Sequence, residues 1–288
     1  MSAAPAGGFR RQKRAVGHPT RGKTAPNRLR RLDRWLVRVE ARALRGVPGP
    51  VVDLGYGETP GTTIEMHSRL LDVLPGIEVV GIEIDRERVL RAAPLAGADR
   101  RFVHGGFDLQ ALGLPPARLV RAMNVLRQYD PSAVADAWAL MGRGLAPGGL
   151  LVEGTSDPLG RRMVVNLLRR PMDPDAPLRW EATLFSLSPG ADPDPAAFQA
   201  VLPKVLIHRC TPGEPVGDWM SDWRQVWREA APWVVHGPRV VFATAGRLLC
   251  ARRPDAWSRP GWLRQGYMVW RATSARKDAV APGGSPGV

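Results

Sequence analysis

The residues best suited to chemistry lie early in the chain, in Asp53-Leu54-Gly55-Tyr56-Gly57-Glu58-Thr59-Pro60-Gly61. This stretch continues the apolar run Val51–Leu54 and leads into residues 62–74, where Ile64, Leu70, Leu71 and Leu74 supply the apolar positions of a helix. A strand-to-helix turn that approaches a ligand with its own backbone cannot carry side chains there. Gly55 and Gly57 would let main-chain N–H groups close in. A second apolar run, 78–84, ends among Glu83, Asp85 and Glu87. An acid at the end of the strand after a glycine loop can accept hydrogen bonds from both hydroxyls of a ribose, and Glu83 has that place. A nicotinamide-binding fold is the rival reading, and two residues speak against it. Pro60 stands where the third glycine of GxGxxG is needed for close helix–strand packing. Asp53 precedes the first glycine, where a dinucleotide fold has no need of a carboxylate.

The elements that must position these residues follow from the apolar periodicity. Short, mostly continuous apolar runs at 51–54, 78–84, 101–104, 119–123 and 150–153 alternate with helical stretches at 62–74, 86–93 and 131–145. That alternation predicts a parallel sheet covered on both faces, with ligands at the carboxyl ends of the strands where the chain order reverses.

The stretch VVDLGYGETPGTTIE resembles motif I of the class I S-adenosylmethionine-dependent methyltransferases, with D-x-G-x-G in place. EVVGIEIDRERV resembles their second motif, and LAPGGLLVEG the turn into their fifth strand. The resemblance covers about residues 48–157. NRLRRLDRWL, NVLRQYD and the GEP of CTPGEP also resemble an uncharacterised actinobacterial branch of that superfamily, which implies no substrate. The resemblance implies S-adenosylmethionine as cofactor and a doubly wound, Rossmann-like seven-stranded sheet with strand seven antiparallel. It implies a site of Asp53, Gly55, Tyr56, Gly57, Glu83, Ile84, Phe107, Asp108 and Asn124. The glycines would pass close to the methionine part and Glu83 would bind the ribose. Asp108, two positions later than the family's Gly-Asp at the third strand, would make the adenine contact.

Subtype signatures are missing from the positions where they would stand. Asn124-Val125-Leu126-Arg127 is not the (N/D)PP(Y/F) of enzymes that methylate adenine or amide nitrogens. Neither Cys210 nor Cys250 follows a proline, which argues against thiolate attack on cytosine. Lysine occurs only at 13, 23, 204 and 277, too sparsely for the Lys-Asp-Lys-Glu set of ribose methylation. The five histidines show no metal-ligand spacing. What remains is transfer to an acceptor that needs little beyond position, with at most one general base. Candidates are Tyr129 and Asp130, with Arg127, after the fourth strand; Glu153 and Asp157 after the fifth; and His208. A small-molecule acceptor is the favoured reading. The alternatives are an RNA methyltransferase, or a non-catalytic cofactor- or nucleic-acid-binding module.

Those alternatives draw on the charge distribution. Of the net +14, residues 1–46 carry thirteen Arg and Lys against Asp33 and Glu40, and the rest of the chain is nearly neutral at +3. Residues 10–45 are thus a basic arm that could meet a polyanion. Residues 1–26 mix Gly, Ala, Pro, Thr and Arg without a period, which predicts a disordered tail separable from the pocket. From Asn27 as N-cap to Gly46 as stop, Leu29, Leu32, Trp35, Leu36, Val39 and Ala43 mark an amphipathic helix that docks on the following domain.

Eight of ten tryptophans lie beyond residue 170, and Trp219, Trp223, Val226, Trp227 and Ala230 form a helical stripe. The stripe reads as core packing, with an aromatic lid as its functional alternative. Arg179–Leu187 and Tyr267–Arg271 alternate like strands and are expected as strands six and seven, with about 189–265 between them as an insertion walling the pocket. Residues 27–271 would form one domain, followed by a disordered tail at 272–288. No run of 18 apolar residues occurs, no apolar core follows Arg10, Arg11, Lys13 and Arg14, so no secretory leader is expected, and two lone cysteines suggest neither a disulfide framework nor a zinc site. A cytoplasmic, soluble protein is expected.

Overall fold

The computed structural model describes residues 17, 18, 24–188 and 190–272. Most of the expected tails, at 1–16, 19–23 and 273–288, lies outside the described residues.

The predicted N-terminal helix is two helices, α1 (Arg30–Val39) and α2 (Ala41–Arg45). The break at Glu40 re-phases the apolar stripe. Leu32, Trp35 and Leu36 are buried as expected, but in α2 Ala41 and Leu44 turn inward and Ala43 is exposed. Two acids on the buried side escape the apolar pattern. Asp33 is 0% exposed, and Glu40 pairs with Arg169 at 2.6 Å.

There follow β1 (Val51–Leu54), α3 (Gly61–Leu71), β2 (Val79–Glu83), α4 (Arg86–Ala92), β3 (Arg100–His104), β4 (Ala117–Met123), α5 (Pro131–Arg143) and β5 (Leu145–Ser156). These five strands are parallel, in the order β3-β2-β1-β4-β5. Side chains alternate across the sheet because the strand period is two. Val52, Leu54, Val80, Ile82, Val120 and Leu151 belong to one core. Val51, Val79, Leu119, Leu150 and Val152 belong to the other, with Leu32 and Leu36 of α1 and Met66 and Leu70 of α3. Both faces are covered, which is why these strands read as nearly continuous apolar runs.

Beyond β5 the sheet turns antiparallel. The remaining elements are β6 (Arg162–Arg169), β7 (Arg179–Leu187), α6 (Lys204–Ile207), α7 (Pro215–Glu229), α8 (Pro238–Arg252), β8 (Ala256–Trp257), α9 (Pro260–Arg264) and β9 (Tyr267–Arg271). The whole sheet runs β3-β2-β1-β4-β5-β6-β7-β9-β8, nine strands where seven were expected. The additional strands are β6 and β8. A tight turn sends β6 back along β5: the Asp157 carboxylate accepts from the main-chain N–H groups of Leu159, Arg161 and Arg162 at 2.8–3.0 Å, and Gly160 takes φ +67°. Met163-Val164-Val165 after that turn carried the hairpin signal. The strands expected as six and seven are β7 and β9, and they pair antiparallel.

The tryptophan stripe of α7 is core. Trp219 and Trp223 are at most 1% exposed and pack with Phe185 of β7, Phe198 and Trp270 of β9 at ring distances of 5.3–6.2 Å. Large flat rings bury much area at low rotamer cost, so they suit a wide antiparallel sheet that needs cover.

Candidate functional site

The sheet order places β1 between β2 and β4, so the chain reverses direction across the sheet at β1, where open α/β sheets bind ligands. Gly55 ends β1 at φ +72° and Gly57 follows at φ +89°, both in the region that disfavours side chains. A Cβ on Gly55 would lie 2.8 Å from Val125 Cγ2, so the loop can pass below Val125 only as glycine.

Glu83 ends β2 directly beside this loop and is 1% exposed. Its Oε2 accepts the main-chain N–H of Gly57 at 2.9 Å, and its Oε1 accepts those of Ile84 and Asp85 at 2.9 and 3.2 Å. Arg88 Nη1 lies 3.7 Å from Oε1. Main-chain donors on both oxygens fix the carboxylate in one orientation; two of them fill the acceptor positions of Oε1, and Oε2, with one, keeps acceptor capacity. Glu83 and Gly55 line a cavity whose other walls include Ile84, Phe107, Val125 and Tyr129. One buried carboxylate facing apolar and aromatic walls suits a ligand with a hydroxylated part and a flat part.

The remaining residues expected in the site distribute differently. Asp53 faces the opposite side of the sheet from the cavity. It sits level with Arg121 across the β1–β4 pair, and Arg121 donates Nε to Asp53 Oδ1 at 2.9 Å and Nη2 to Oδ2 at 2.8 Å. Thr63 Oγ1 donates to Asp53 Oδ2 at 2.7 Å, which fastens the start of α3. Arg121 also donates Nη1 to Asp33 of α1 at 2.5 Å and Nη2 to the Thr62 carbonyl at 2.9 Å. Arg69 of α3 binds the other Asp33 oxygen at 2.6 Å. Burial pushes the Asp33 carboxyl above its ordinary value, and Arg121 and Arg69 oppose that rise. The motif acid therefore supports the loop from behind.

Tyr56 packs edge-on against Phe102 with ring centroids 5.6 Å apart, and burial, with Glu83 nearby, raises its hydroxyl pKa. Asp108 accepts from Ala111 N at 3.2 Å, closing a turn. Asn124, at φ +61°, exchanges hydrogen bonds with Ser156 at 3.0 and 3.3 Å, joining the ends of β4 and β5. None of these three lines the cavity.

Of the six acceptor-side candidates, Tyr129 alone lines the cavity. Burial raises its hydroxyl pKa, so it is a hydrogen-bonding group at neutral pH. Asp130 is exposed at the start of α5, and His208 is exposed at the end of α6. Glu153 is 2% exposed inside the core beneath α5, where burial pushes its carboxyl up to about 7 against the Asn166 amide and the nearby Trp138 indole. Arg127 reaches the Ala200 carbonyl at 3.0 Å, and Asp157 is committed to its turn.

Other wall residues were not anticipated. Gly105 and Gly106 after β3 line the cavity, as do Leu54 and Val125. The paired glycines after a strand were the available signal. Gly17 and His18, from the stretch read as a separable tail, also line it, and local sequence held no sign of that. No residue of 190–266 is among the lining residues, so the tryptophan-rich segment covers the antiparallel strands instead of this pocket. Among the described residues there is no group of three His, Cys, Asp or Glu placed to hold a metal, and no helix long and apolar enough to cross a membrane.

No protein-family model matches this chain, and no curated protein matches it. Solved structures similar to parts of it include the N-methyltransferase NodS from Bradyrhizobium japonicum, at 19% identity over 45% of this chain and 68% of that one, with a TM-score of 0.33. The plantazolicin methyltransferase BamL, solved with S-adenosylhomocysteine (SAH), matches at 13% identity over 46% of this chain and 50% of its own, with a TM-score of 0.33. The PH0226 protein from Pyrococcus horikoshii matches at 19% identity over 48% of this chain and 69% of its own, with a TM-score of 0.35. The chain thus spans half the length of BamL, and each of these likenesses takes in less than half of this chain.

Proposed function

We propose that this chain transfers a methyl group from S-adenosylmethionine to a small-molecule acceptor. The observation that carries the reading is Glu83, oriented by three main-chain N–H groups including that of Gly57, facing one cavity with Gly55 at the β1 switch point. Glu83 would take a ribose hydroxyl at Oε2, Ile84 and Phe107 would face the base, and the glycine loop would admit the methionine part. Asp53 is assigned to holding that loop through Thr63 and Arg121, not to touching the cofactor. When bound, the cofactor supplies a methyl group already activated on a sulfonium. The chain's own task is then to hold an acceptor in line and keep water out, which can supply most of the acceleration. Tyr129 shares the cavity wall with Ile84 and Phe107 and so belongs to the base end, and no side chain is assigned to the acceptor.

Calorimetry with S-adenosylmethionine, SAH and NAD tests the reading. Binding of the first two is expected, and binding of NAD alone would overturn it. Glu83→Ala should weaken the adenosyl ligands by about tenfold or more, since a charge-assisted hydrogen bond contributes roughly 1.5–3 kcal/mol. Methyl incorporation into size-fractionated cell extract then identifies the acceptor. Label in small molecules supports the proposal, label in RNA favours the RNA reading, and no label in any fraction favours a non-catalytic module.

A further inference from the structure

Gly17 and His18 stand apart in sequence from every other wall of the cavity. The His18 main-chain N–H donates to the Tyr129 hydroxyl, and Gln128 Nε2 donates to the His18 carbonyl at 3.1 Å. The His18 ring lies against that of Tyr129 with centroids 5.1 Å apart, and Phe107 packs on Tyr129 at 5.3 Å. Gly17 comes so close to the wall that a Cβ there would lie 3.1 Å from Ile84 Cδ1 and 3.4 Å from the Tyr129 hydroxyl. Ile84 directly follows Glu83. A nucleoside with its ribose on Glu83 would therefore set its base among Ile84, Phe107 and Tyr129, the surfaces that Gly17 and His18 touch. With the two residues in place the cavity leaves about 20 Å³ of water-accessible space. That is below the roughly 300–1,000 Å³ usual for small-molecule sites.

We infer that Gly17–His18 is an internal competitor, a strap on the base end of the adenosyl pocket that must leave before the cofactor binds. The inference rests on the function proposed above. Among the described residues, two main-chain hydrogen bonds and one tilted ring contact tie Gly17–His18 to the wall, and His18 is exposed. The cost to the ligand follows from populations. A pocket covered nine-tenths of the time binds with about tenfold weaker apparent affinity than an open one.

The test is calorimetric titration of SAH into the full chain, into a chain lacking residues 2–18, and into full-length Tyr129→Phe. The deletion should bind about tenfold more tightly. Tyr129→Phe keeps the ring but loses the acceptor for the His18 N–H, and should show a gain of about threefold. If the full chain and the deletion both bind with affinities within twofold, the strap is overturned while the proposed function stands. Weaker binding by the deletion also overturns it, since Gly17 and His18 would then be part of the ligand's own wall. If only the deletion binds, both the strap and the adenosyl reading are supported. If neither chain binds SAH, both fall together.

Discussion

Arg121→Met should destabilise the protein by about 3–5 kcal/mol, the usual cost of removing one partner from a buried ion cluster. Arg121 is fully buried and places its guanidinium between two carboxylates, at 2.8–2.9 Å from Asp53 and 2.5 Å from Asp33. Removing the cation leaves Asp33 and Asp53 facing each other without it, although Arg69 still holds Asp33 at 2.6 Å. Two carboxyls in such a place relieve the strain by taking up a proton. Asp33, already held above its ordinary value by burial, rises further once Arg121 no longer opposes it, so the variant's stability is retained at low pH and lost as pH rises through that value. The deficit relative to the unmodified chain should therefore be larger at pH 8 than at pH 5. Adding Asp33→Asn and Asp53→Asn removes the uncompensated charges and should recover part of the loss. The assay is urea unfolding followed by circular dichroism at both pH values. A loss below about 1 kcal/mol at pH 8, or one independent of pH, would refute the account of Arg121 as the counter-ion that ties α1 to the glycine loop.

Glu153→Gln addresses the other buried acid. Its carboxyl stands at about 7 against an ordinary 4.5, chiefly through burial. Its favourable contribution is whole below the unfolded value and is lost as pH rises towards the folded one, by about 3 kcal/mol at most. The stability of Glu153→Gln minus that of the unmodified chain should thus grow between pH 4.5 and 7.5, and a constant difference in paired urea titrations would dismiss the reading. Gly55→Ala combines a strained φ of +72° with a Cβ 2.8 Å from Val125, so it should cost stability by about 1–3 kcal/mol and weaken SAH. Pairing it with Val125→Ala should restore part of the ligand affinity in calorimetry, because the clash is removed while the backbone strain stays.

The parallel half of the sheet could be read from the amino acids in order, because each strand, turn and helix there is a local unit. Val51–Leu54, Gly55, Gly57 and the helix after them declare a strand, a tight turn and a helix within a few residues. Glu83 announces itself in the same way, as an acid at the end of a continuous apolar run. Asp53 misleads for the same reason. Its place in the motif is visible, but the side of the strand it faces and the arginine it meets are not. Asp33, Asp53 and Arg121 come from α1, β1 and β4, and only the β1–β4 register sets the last two level. The break at Glu40 likewise answers to Arg169, a distant strand residue. Whether β6 would stand between β5 and β7 is a choice among apolar strands of similar pattern, settled by a turn at Asp157 and by cover from the tryptophans of α7. Gly17 and His18 are the extreme case, since nothing near them in sequence points to Tyr129. Chain-local geometry is encoded by steric preference and periodicity, both written in neighbouring residues. Partner choice across the fold depends on which distant groups come within hydrogen-bond or ion-pair reach, and that distance exists only once the sheet has closed its register.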